Sequence, residues 1–504
     1  MPKTVQKTLT FPLAGVSRRR GYREQSRPYA APWAVNVRGV GPLESRERGG
    51  SRPGLVKVHS NDFGSTITAV IPVTSVTADT NTRNRDLVVI ADGVFSYLRG
   101  IIVTQTESIL QDDNGQSILT DDDEEIVFES EASDVNPVGD SDAFDAAERG
   151  GKLYLADSTL LEYDPQTGVV DTVVATEGSI PTSCPLVCVY RDRLFLSGVN
   201  HVWYASRQSN FTDWDFGADL NDQGRAVAGQ VDVAGRIGET IQALIPHEDK
   251  FLVMASRNSL WTMHGDPVTG SMDRVSSEIG VLSPSAWAKA PDGLIAFLSN
   301  DGIYMLSAGS GKHPARFSEE RLPDELRNVD PDSNTIVMAY DVRSRGFHLF
   351  ITPASGLGSH WWIDVENKAL WPVRLAEGHQ PIAASRFDNG SGLSEVILGC
   401  KDGYLRKFSD DETDDDGTDI DSHVLIGPIR ITSNDITDGL LAELHGIMAD
   451  NSGDVTWRVV TGQSAEEAVD AAVAAMTLDL ADDEVTGVAA EGTWSELRNK
   501  VVRP

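Results

Sequence analysis

From about residue 61 to residue 423 the chain alternates short apolar runs, rich in β-branched and aromatic residues, with clusters of Gly, Asn and Asp. That pattern predicts many short strands joined by tight turns. Aligned under one another, seven segments share a form: strand, polar turn, then a second strand ending in aromatic or long apolar residues. They are LVVIADGVFSYL from Leu87, KLYLADSTLLEYD from Lys152, RLFLSGVNHVWYAS from Arg193, KFLVMASRNSLWTMHG from Lys250, LIAFLSNDGIYML from Leu294, FHLFITPASGLGSHWWID from Phe347 and VILGCKDGYLRKFSD from Val396. They recur at roughly 40 to 65 residues, the period of a four-stranded blade. The expected fold is therefore mainly β, a divergent β-propeller of about seven blades, since the strict WD-repeat and kelch signatures are missing. A twisted sandwich of similar hairpins is the structural alternative.

Three regions depart from the repeat. Residues 1–60 are too rich in Arg and Pro to form a core and read as an extended basic arm. Residues 104–130 lie in the widest gap between units. There SILQDD and SILTDD flank Asn114-Gly115, a dipeptide that favours two-residue hairpin turns, so a protruding hairpin with acidic rims is expected. Residues 424–504 read as a small β-rich or α+β domain. Leu440–Ala449 and Val455–Thr461 read there as strands joined by a turn at Asn451-Ser-Gly453. Ser464 to Met476 reads as a helix with Ser464 as N-cap and Glu467 at the capping-box position, and a last strand is expected through Thr493 to Val502. Within the third hairpin unit, Trp203, Tyr204, Trp214 and Phe216 form an expected aromatic core, with Arg191 and Arg193 pointing outward.

Charge sharpens this division. The 504 residues carry a formal −33, yet up to Lys57 there are twelve Lys and Arg against three acids, a net +9 that leaves −42 for the rest. A basic arm on an acidic body suits docking on an acidic neighbour. The rival is a nucleic-acid-binding tail, which a body this acidic disfavours, because phosphate affinity comes from cations. Cys184, Cys188 and Cys400 are too few for a disulfide framework and read as buried thiols. The opening MPKTVQKTLTFPLAG has no apolar run long enough for a signal peptide, and no 18 consecutive apolar residues occur, so no membrane span and synthesis in a reducing cytoplasm are expected.

Candidate chemistry is sparse. The acidic run Asp410–Ser422 places Glu412, Asp414 and Asp416 at calcium-loop spacing around Gly417, but His423 stands where a bidentate Glu is needed, so a solvated linker is the plainer reading. Ser299-Asn-Asp301-Gly302 is a fragment of a sialidase Asp-box that does not recur. No nucleophile elbow, zinc-protease motif or phosphate loop is present. His201, His247, His264, His348 and His360 read as core or surface residues, and Trp361-Trp362 as a strand pair with one ring on each face, or as a sugar platform. No catalytic residue, cofactor or metal site is assigned, and no enzymatic activity is expected.

The opening stretch Phe11–Leu55 resembles the start of the tail nozzle (tail tubular protein B) family of short-tailed bacteriophages, on Gly15, Gln25, Pro28, Val35, Asn36, Glu44, Arg48, Arg52 and Pro53. The phrase YASRQSNFTDWDFG is similar to a stretch of phage propeller-like tail proteins. The resemblance implies a structural virion protein, a homo-hexameric ring beneath the portal and adaptor proteins that forms the channel for DNA ejection. It leaves tail fibres open as a further partner and places the protein in the virion. The arm residues Arg18, Arg19, Arg20, Arg23, Arg27, Trp33, Arg46, Arg48 and Arg52 would then dock on a neighbouring subunit or the adaptor. Asp121, Asp122, Asp123, Glu124, Glu125, Asp410, Asp411, Asp414, Asp415 and Asp416 are candidates for an acidic channel lining past which genomic DNA slides unbound. A non-enzymatic ligand- or receptor-binding propeller of a phage tail is the alternative, and a glycosidase-type propeller a remoter one.

Overall fold

The computed structural model describes residues 6–17, 29–39, 48–77, 82–99, 108–109, 127–128, 135–141, 143–229, 237–307, 313–317, 324–327, 329–388, 394–430, 441–448, 452–477, 488–494 and 499–502. They fall into two compact units, residues 53–366 with 373–420, and residues 1–52 with 367–372 and 421–504.

The larger unit is a seven-bladed β-propeller. Each hairpin of the repeat is the second and third strand of an antiparallel sheet, from Thr82–Ala91 with Val94–Arg99 to Glu395–Cys400 with Leu405–Ser409. Six sheets have four strands. The central strands are covered on both faces, because the blades pack face to face. In Thr82–Ala91, Leu87, Val89 and Ala91 pack towards Phe387, Ile397 and Leu405 of the seventh blade, while Val88 and Ile90 pack towards Leu153, Leu155 and Tyr163 of the second. This two-sided burial is why Phe251–Ala255 and Ile295–Ser299 read as continuous apolar runs and not as alternating ones.

The seventh sheet has six strands, and it corrects two sequence expectations. Its fourth strand is Gly54–Lys57, which lies within the expected arm and pairs antiparallel with Leu405–Ser409, Leu55 opposite Phe408 and Lys57 opposite Arg406. The ring of blades is thus closed by a strand from near the start of the sequence. Its last two strands, Asp414–Asp415 and Thr418–Asp419, form a hairpin inside the acidic run. That run is therefore not a solvated linker. Asp416 and Gly417, with φ of 51° and 83°, make the turn, and Gly54 packs so closely on it that a Cβ there would lie 2.1 Å from Asp414 O.

In the smaller unit Ala34–Val35 pairs with His423–Val424 and Val37–Gly39 with Gly49–Ser51. The two strands expected on either side of Asn451-Ser-Gly453 form, but not with each other. Leu444–Ile447 pairs with Asn499–Val502, and Val455–Val460 with Val488–Trp494. Ser464 caps the helix Ala465–Thr477 as its sequence predicts, with Glu467 N–H donating to Ser464 Oγ at 3.1 Å, while Glu467 Oε2 accepts from Gln463 N–H at 2.9 Å, one residue before the N-cap. Of the 104–130 insertion, Ser108–Ile109 and Val127–Phe128 are described, and they pair antiparallel. A two-residue turn at Asn114-Gly115 would set Ser108 opposite Asp121, whereas it faces Phe128, so the register is not the one the dipeptide predicts.

Candidate functional site

Of the resemblance residues, Gly15, Val35, Asn36, Arg48 and Arg52 are described in the smaller unit, Pro53 belongs to the larger one, and Gln25, Pro28 and Glu44 lie outside the described residues. Asn36 has φ 54°, a left-handed conformation that Asn tolerates better than most side chains. Its backbone N–H donates to Pro372 O at 3.0 Å, and its carbonyl accepts from Arg52 N–H at 2.8 Å and from Ser422 Oγ at 3.2 Å. Its side chain completes the knot, with Nδ2 donating to Asp421 O at 2.8 Å and Oδ1 accepting from Arg52 Nε at 3.0 Å. Gly15, φ 72°, brings the chain so close to Leu370 that a Cβ would lie 2.6 Å from its backbone nitrogen. Phe11 stacks on Trp371 with ring centroids 5.4 Å apart.

Burial revises the arm at one residue: Arg52 is 5% exposed and bonds Asn36 of its own unit, so it is not free to dock, while half-buried Trp33 donates from Nε1 to His423 Nε2 at 3.0 Å. Arg48 is exposed. Arg18, Arg19, Arg20, Arg23, Arg27 and Arg46 lie outside the described residues, as do Asp121, Asp122, Asp123, Glu124 and Glu125 of the expected acidic lining.

The remaining acids of that lining are placed. Asp410 and Asp411 are exposed, with Asp410 3.1 Å from Arg343 Nη2. Asp414 Oδ1 accepts from Gly417 N–H at 2.8 Å, Asp415 is 3% exposed, and Asp416 faces Arg406, so these three belong to the closing hairpin and not to a free acidic wall. Arg406 is buried, and its guanidinium is gripped from two sides. It makes two parallel bonds of 2.7 Å to Asp402 and bonds of 3.0 and 2.8 Å to Asp416 Oδ2. Burial opposes its charge, but the hydrogen bonds it donates to Asp402, with Cys400 and Asp416 adding to them, outweigh it and raise the pKa above the usual arginine value. Lys57 adds to the cluster, 3.6 Å from Asp416 and 3.9 Å over the Tyr404 ring.

Sequence reasoning missed a second buried ion pair. Arg193, expected to face outward, is 0% exposed and donates to six acceptors. Two are the carboxylate oxygens of Asp266 in the next blade, and four are carbonyls of Ser206, Gln223, Gly224 and Arg225 in the long loop of its own blade. A strand covered on both faces leaves no outward direction, so the charge is met inside. Nothing in the local sequence marks Asp266 as its partner.

The expected aromatic core of the third blade splits. Trp203 and Trp214 are buried in separate inter-blade clusters, while Phe216 is 39% exposed and Tyr204 half-buried. Tyr204, Trp214 and Phe216, with Gly178 to Thr182, Cys184, Val199 and Asp215, line a cavity of about 510 Å³. Trp361 and Trp362 are both buried, which removes them as a sugar platform, and His247, His348 and His360 are buried among aromatic strands. All three cysteines are buried and free, and burial pushes the Cys184 thiol up to about 11 and that of Cys400 to about 12. Among the described residues no cluster of three His, Cys, Asp or Glu is placed to hold a metal ion, and no helix is long and apolar enough to cross a membrane.

Fold and site together define a β-propeller module with an added terminal unit. No protein-family model and no curated protein matches the sequence. Among solved structures the chain is similar to U3-55K (9% identity, TM-score 0.37, covering 71% of this chain and 99% of that one). It is similar also to YCF48 bound to D1 peptide (12%, 0.39, 71% and 95%) and to the WD40 β-propeller domain of Doa1 (10%, 0.36, 71% and 98%).

Proposed function

We propose that this chain is a non-enzymatic structural protein of a short-tailed phage virion, a ring-forming component of the tail nozzle beneath the portal and adaptor. The observation that carries the reading is the knot around Asn36. Three of the residues on which the nozzle resemblance rests make its close contacts: Gly15 lies against Leu370, and Arg52 bonds Asn36, which in turn bonds the Asp421 carbonyl. Charge supports it. Lys and Arg lining a DNA channel would grip phosphates through counterion release, whereas acids such as Asp410 and Asp411 keep a duplex sliding. Such repulsion acts over about 8 to 10 Å at physiological salt.

Light scattering on the full chain, alone and mixed with portal and adaptor proteins over a range of ionic strength, tests this. The expected mass is that of about six copies, on its own or on the connector, falling as salt screens the basic arm. A monomer at every salt concentration, with or without the connector, contradicts it.

A further inference from the structure

The cavity at Tyr204 and Phe216 lies where the crossing from the second to the third blade runs beside the long loop of the third. Its wall is fixed by a short parallel pairing, Glu177 with Asp213 and Gly178 with Trp214, and by Thr176 Oγ1 and Thr212 Oγ1 at 3.0 Å. Gly178 permits this approach, since a Cβ there would lie 2.2 Å from Trp214 O. The floor is apolar and aromatic, with the Tyr204 and Phe216 ring centroids 5.9 Å apart. Asp215 lines the cavity, with Oδ1 held by Gly217 N–H at 2.9 Å. The two segments that build it, residues 169–184 and 210–222, carry six acids and no Lys or Arg, and two of the six, Asp213 and Asp222, are paired with Arg207.

We propose that this groove docks the arginine-rich stretch of a second copy of this chain, residues 18–28. The occupant rests on the ring reading above; the chemistry of the groove does not. A guanidinium is the side chain that lies flat on a Tyr or Phe face while bonding a carboxylate at the edge. Residues 18–28, RRRGYREQSRP, hold five arginines against one glutamate, with Tyr22 and Pro28 to cover apolar floor. The cavity's roughly 510 Å³ takes one or two such side chains and leaves the rest of the stretch to the acidic rim.

The test is calorimetric titration of a synthetic peptide of residues 17–29 into the full chain. The chain carries Arg18→Ser, Arg19→Ser, Arg20→Ser, Arg23→Ser and Arg27→Ser so that its own stretch does not compete. Saturable binding at one peptide per chain is expected, weakening with salt. It should fall about tenfold or more with Asp215→Lys or Phe216→Ser, and stay unchanged with Asp419→Lys on the distant closing hairpin. Circular dichroism shows whether each variant keeps its fold. Equal binding by Asp215→Lys and its parent, no binding by the parent, or a neutral oligosaccharide taking the groove in place of the peptide overturns the proposal. Rings formed as readily by Asp215→Lys as by the unaltered chain overturn it and leave the ring reading intact. Groove-dependent peptide binding by a chain that never forms rings supports the groove and counts against the ring.

Discussion

Arg193 shows how far a residue's neighbours in space can differ from those in sequence. Its alternation with Arg191 suggested a solvent-facing side chain, yet its strand is buried throughout and Asp266 supplies the counter-charge from the next blade. Arg193→Met should cost about 3–5 kcal/mol in denaturant unfolding, because Asp266 and four carbonyls lose their donors. Arg193→Lys should rescue little, since an ammonium cannot reach both sides of that fork. Asp145 offers a pH readout. Burial pushes its carboxyl up to about 7, against lowering hydrogen bonds from the Val187 and Ala146 N–H groups. A raised acid pKa means the folded protein holds a proton that the unfolded chain releases near pH 4. Its contribution to stability is thus fully present below about pH 4 and is lost as pH rises through 7. Asp145→Asn should therefore raise stability at pH 8 by about 1–3 kcal/mol and change little at or below pH 4, as read from melting curves at the two pH values. Asn36 and Arg52 were legible as motif residues, but their mutual hydrogen bond was not, because nothing in the sequence marks two residues sixteen positions apart as partners.

At the level of elements, all seven hairpins were legible, since burial on both faces writes each as an apolar run broken by one polar turn. Their outer neighbours were harder to read. The strand Gly54–Lys57 is short, and its partner lies near the other end of the propeller sequence, so only the fold reveals that it closes the seventh blade. The closing hairpin was hidden by its own acidity. Asp414–Asp416 read as solvated because the arginine that neutralises Asp416 stands ten residues earlier. Gly54→Ala should drive a methyl group into Asp414 O and loosen the closure, seen as faster hydrogen exchange in Gly54–Lys57 and Leu405–Ser409 with the other blades unaffected. Arg406→Met should do the same more severely, taking the guanidinium from Asp402 and leaving Asp416 only Lys57, and costing about 3–5 kcal/mol.

For the whole molecule, the uneven charge was the plainest signal in the sequence and the one the fold alone interprets least. A basic opening and an acidic remainder suit the proposed subunit, one that joins others of its kind and lets DNA pass. Negative-stain electron microscopy of the purified chain, alone and with portal and adaptor proteins, tests that reading most directly. Rings of about six subunits around an open centre, on their own or seated on the connector, are the expected result. Single dispersed particles that ignore the connector would contradict it.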